Sequence, residues 1–176
     1  MARKSVLSGL LDWYFRRPVL IDYIFSIVVC LLLFWLEKNK GLKFPEETKV
    51  MGLSSDIGTI GLTVSGFILT LLTILITLKN GEDANNKSIT ENSTPFQVFF
   101  ASPLYFKSTK ILKGAVYSLV LISIANYFTK ILISKHHIDI LFFVNITGLI
   151  IISTTFLRSL LILSSIIKMQ KTPNIR

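Results

Sequence analysis

Ser55, Thr59, Thr63, Gly66, Thr70, Thr73 and Thr77 recur at spacings of three and four residues through a stretch that carries no charge from 57 to 78. At ~100° per residue the seven positions share a helix face about 80° wide. Two kinds of chemistry are open to such a face. Small residues let helix backbones approach closely, and threonine hydroxyls bond to their own helix or to a neighbour, which makes a packing seam. In a homo-oligomer with this helix innermost, the same oxygens would instead line a narrow pathway and replace water around a permeant species. Gly58, Gly61 and Ser65 lie on the flank and widen the surface suited to close approach.

Other polar residues sit singly in apolar surroundings. Asp22 and Arg158 are the charges nearest the centres of hydrophobic blocks, and each is close enough to a block's end to be hydrated; an ion pair between them is conceivable. Asn126 and Asn145 are similarly distant from the turn at 135–137, so an antiparallel hairpin sets them at matching depth, where they could bond to each other and lock the hairpin. His136 and His137 stand beside Asp139, but adjacent side chains point apart in regular structure, so a solvated turn is preferred to a metal site. Cys30, the only cysteine, excludes an intrachain disulfide or a Cys-x-x-Cys pair and reads as a small hydrophobe. No phosphate-binding loop, metalloprotease motif or paired intramembrane carboxylates occur in the sequence. We therefore expect no enzyme activity, no catalytic residue, no metal and no cofactor.

The elements that must position these residues are helices in a membrane. The chain is 51% hydrophobic and 16% charged over 176 residues, with the apolar residues gathered in long blocks. The expected architecture is all-α: a polytopic four-transmembrane-helix bundle with an N-terminal interfacial helix. Spans fall at 19–36, 57–78, 111–133 and 140–168; the last would extend ~43 Å, so its final turns should leave the hydrocarbon layer. Residues 1–18 form an N-terminal segment, 37–56 an outer loop, 79–110 a cytoplasmic loop, 134–139 a short outer turn and 169–176 a basic tail.

Aromatic residues in two segments outside the spans (Trp13, Tyr14 and Phe15; then Phe96, Phe99, Phe100, Tyr105 and Phe106) suggest interfacial anchors or a docking surface for a cytosolic partner. The stretch 80–95 has no apolar period and reads as a flexible loop.

Orientation follows from the 19 Lys and Arg: 13 fall on one side of the four spans and six on the other, which favours cytoplasmic N- and C-termini. The formal charge of +9 is accounted for by this bias, so no direct nucleic-acid binding is expected.

Size, span count, short outer loops and an Asn/Lys/Ile-rich composition resemble those of small four-span bacterial membrane proteins of defence systems, such as the membrane component of the Kiwa anti-phage system. The resemblance carries no motif to transfer residue by residue. It implies a homo-oligomer in the bacterial inner membrane that senses membrane perturbation and signals to a soluble partner. An ion channel or pore lined by the threonine face is the alternative.

Overall fold

The computed structural model describes residue 14 and residues 17–41, 45–84, 95–133 and 138–171, with the side chains of 82–84, 170 and 171 excepted. The fold is all-helical: α1 (Pro18–Lys40), α2 (Glu47–Ala84), the short α3 (Pro95–Ala101), α4 (Pro103–Leu132) and α5 (Ile138–Lys171). Four of them, all but α3, are long and apolar enough to cross a membrane. The N-terminal interfacial helix, apart from Tyr14, lies outside the described residues, as do the loop at 85–94 and the turn holding His136 and His137.

The helix limits have local causes. Pro18 opens α1 with a backbone nitrogen that needs no partner, and Gly41, in the left-handed region at φ 63°, closes it by donating its N–H to the Glu37 carbonyl at 3.0 Å. At the start of α4, Pro103 follows Ser102, whose hydroxyl accepts the Leu104 N–H. Helix α2 begins before the apolar span and continues to Ala84, so its 38 residues extend ~57 Å, nearly twice the thickness of a hydrocarbon layer.

Contacts fix an up-down-up-down bundle. Ser55 meets Lys130, and Gly58 faces Tyr127, so α2 and α4 run antiparallel. Asp22 pairs with Arg158 and Cys30 with Thr147, which sets α1 antiparallel to α5. Ser54 bonds to Asn145 while Phe67 packs on Phe156, so α2 and α5 are parallel.

Helix α2 packs most extensively on α4, then on α5, whereas α1 rests chiefly on α5. Close approach of α2 to α4 depends on Gly58 and Gly61. A Cβ at Gly58 would lie 2.7 Å from the Tyr127 ring, and one at Gly61 would collide with the Ser123 hydroxyl. Lipid tails are as apolar as the core, so such packing and internal hydrogen bonds hold the spans together better than hydrophobicity can.

The second aromatic segment departs from an interfacial anchor. Phe99, Phe100 and Tyr105 are buried and stack edge-on beneath the ends of α2 and α5, while Val98, Leu104 and Phe106 remain exposed. Half of the segment plugs the bundle and half faces outward.

Candidate functional site

Two features gather most of the polar residues singled out in the sequence. One is buried and one exposed.

The buried feature joins α1 to α5. Arg158 Nη1 donates to Asp22 Oδ2 at 2.5 Å and to the Tyr14 phenol oxygen at 2.9 Å; Tyr14 in turn donates to Asp22 Oδ1 at 2.9 Å. Thr155, one turn earlier on α5, accepts from Arg158 Nη2 at 3.5 Å, and the Tyr14 ring centroid lies 5.9 Å from the guanidinium carbon. The side chains of Arg158 and Asp22 are 1% and 4% exposed, so the expectation of hydrated charges is corrected. Protein surrounds them, and Tyr14 from the preceding segment completes the cluster. Sequence spacing located the two charges but gave no sign that a residue eight positions upstream of Asp22 would fold over them.

Desolvation by burial, with the Asp22 charge beside it, raises the Tyr14 phenol above its usual value, against the opposing pull of Arg158. Its proton therefore stays in place as the donor to Asp22. Both Asp22 oxygens are engaged, and Arg158 Nε has no acceptor among the described residues.

Asn126 and Asn145 are both fully buried, but they do not bond to each other. Asn145 turns to α2: its Nδ2 donates to the Val50 carbonyl at 2.9 Å, and its Oδ1 accepts from Ser54 at 2.7 Å. Asn126 bonds back to the Ile122 carbonyl of its own helix, with its Nδ2 close to Gly148 of α5, and its Oδ1 has no partner among the described residues. Helix α2 extends far enough past its apolar span to compete for Asn145. Ser54 and Val50 lay within the stretch assigned to an outer loop.

The exposed feature is the threonine face of α2. Thr59, Thr63, Gly66, Thr70, Thr73 and Thr77 are exposed. The hydroxyls of Thr59, Thr63, Thr70, Thr73 and Thr77 each donate to the carbonyl four residues earlier, at 2.9–3.0 Å. Their donors are thus satisfied inside the helix while oxygen lone pairs and methyl groups point outward.

At the loop end the face touches its own subunit. Thr59 also meets the Tyr127 hydroxyl at 2.9 Å, and Lys130 Nζ donates to Ser55 Oγ instead of extending away. From Thr63 onward the face is exposed, with no covering contact among the described residues.

The buried side of α2 runs through Ser54, Ile57, Gly61, Ser65, Ile68 and Leu72, turned about 150° from the threonine face at ~100° per residue. Bulky exposed side chains edge the face on both sides. Leu62, Leu69 and Ile76 form one ridge, and Ile60, Phe67, Ile74 and Leu78 the other, all 40–51% exposed. The result is a groove of small residues between two apolar ridges, with a shape suited to a second helix.

No family model, curated protein or solved structure matches this chain.

Proposed function

We propose that this protein is a homo-oligomeric, non-enzymatic membrane scaffold or sensor whose subunits meet along the small-residue groove of α2. The observation that carries the reading is the groove itself, open between two apolar ridges and facing away from the protomer's own core. Helices in lipid associate through close backbone approach, and Gly66 with the threonines permits it. The buried Arg158–Asp22–Tyr14 cluster supports the non-enzymatic part, because its hydroxyl and carboxylate oxygens are spent on one another.

The setting we favour is a bacterial inner membrane with both termini cytoplasmic, in keeping with the 13-to-six distribution of Lys and Arg. The soluble partner would meet the basic end of the bundle. The likeness in plan to membrane components of defence systems supports a role in anti-phage sensing. In mild detergent, native mass spectrometry should give a homo-oligomer, and Gly66→Leu should reduce it to protomers. A wild-type protein that is strictly monomeric would remove the reading.

A pore lined by the same face is the second reading. It is favoured by the outward lone pairs of threonines 59 to 77, which cover ~27 Å of helix, close to the hydrocarbon thickness. Reconstituted protein would then conduct ions, with Thr70→Val and Thr73→Val altering the flux. Silent liposomes under voltage, tension and pH change, from an intact oligomer, leave the scaffold.

A further inference from the structure

A groove of about 720 Å³ opens between α1 and α4 at the end of the bundle that carries Arg17 and Pro18. Its lining divides by chemistry. Arg17, Lys107 and Lys110 supply three exposed cations, whereas Val19 and Gly114 belong to its apolar part. Tyr23 also lines it, one turn deeper than Val19, where its hydroxyl accepts from Ser118 of α4 at 3.3 Å. Lys107, Lys110 and Gly114 stand three and four residues apart and so share one face of α4. Among the described residues, none that lines the groove is acidic.

Cations at the mouth of an apolar slot between two spanning helices match a molecule with an anionic head and hydrocarbon tails. A soluble phosphate would use only the rim, and an apolar peptide would leave three positive charges unanswered. We infer that this groove binds an anionic phospholipid from the adjacent leaflet, with its phosphate among Arg17, Lys107 and Lys110 and its acyl chains along Val19 and Gly114. Gly114 keeps the slot open: a Cβ there would meet Val19 Cγ2 at an ordinary 3.7 Å, so alanine fits, while leucine would fill the space.

The test is native mass spectrometry of the detergent-purified full chain, titrated with equal amounts of phosphatidylglycerol and phosphatidylcholine. Wild type should retain the anionic lipid preferentially. Each cation removed should weaken that preference about five-fold, and Lys107→Gln/Lys110→Gln roughly 25-fold, from the usual attraction per basic residue. Lys113→Gln removes a charge from the same end of α4 but from another face and should leave retention within about two-fold of wild type. Gly114→Leu keeps every charge and should lose the lipid, which separates a fitted groove from general attraction to a basic surface. Equal retention of both lipids, or unchanged preference in the double variant, would overturn the inference. Complete displacement by inorganic phosphate would assign the rim to a soluble anion and also overturn it. Retention of neither lipid would overturn it as well.

Discussion

Asp22 and Arg158 hold each other across α1 and α5 with both side chains buried, so removing one charge strands the other. Asp22→Asn should therefore cost about 3–5 kcal/mol. The Asp22→Leu/Arg158→Leu double variant should return close to wild type, since a matched apolar pair leaves no uncompensated charge. Thermal unfolding in detergent would show it, and additive losses in the double variant would contradict the pairing. Tyr14 adds a pH test. Its phenol is raised in the folded state, so its proton is held more tightly there than in the unfolded chain. That contribution is fully present below an unfolded value of about 10 and is lost only as pH rises through the higher folded value. The stability difference between wild type and Tyr14→Phe should accordingly be flat from about pH 6 to about pH 9. The two asparagines separate in the same way. Asn145→Leu strands Ser54 and the Val50 carbonyl and should cost roughly 1–3 kcal/mol, whereas Asn126→Leu removes an acceptor that has no partner and should be near neutral or stabilising. Equal losses in the two would contradict the assigned bonds. The sequence showed which polar residues lie within apolar blocks, but not that Asp22 and Arg158 would be buried. It could not show their partners, because the choice among three neighbouring helices depends on how far α2 outruns its apolar stretch.

The two faces of α2 have different tasks although both are built from small residues. Gly61 and Gly58 are sterically closed by Ser123 and Tyr127, while nothing lies within 4 Å of a Cβ at Gly66. Gly61→Leu should thus force α2 from α4 and destabilise the protomer by about 2 kcal/mol or more, through overpacking. Gly66→Leu should leave the protomer's unfolding temperature nearly unchanged and act only on assembly. Thermal unfolding beside a size measurement of each variant distinguishes the two, and similar protomer destabilisation at both positions would contradict the division. Helical periodicity alone exposed the threonine stripe, because its spacing is a property of one helix. Which of two small-residue faces turned inward was not legible, since both satisfy the same spacing rule. The decision lies in shape: Tyr127 and Ser123 of α4 fit against glycines, whereas the ridges beside the threonines stay 40–51% exposed even though Phe67 touches Phe156 of α5.

At the scale of the molecule, four spans follow from block length and their antiparallel order from the alternation of successive crossings, and both were legible in the sequence. Packing is uneven, with α2, α4 and α5 forming the tight unit and α1 presenting Ile24, Ile27, Val28, Leu31 and Trp35 outward. An outward face of that kind suits lipid. The groove on α2 differs by being small, continuous and ridged, and this difference is the basis for assigning it to a second copy of the chain. Cysteine scanning along α2 in native membranes, in a Cys30→Ser background, tests the assignment most directly. Oxidative crosslinking should appear at positions 63, 66, 70, 73 and 77 with helical period and be absent at Leu121, which is 65% exposed on the outer face of α4. Crosslinking that is absent along α2, or equally strong at Leu121, would contradict the assignment.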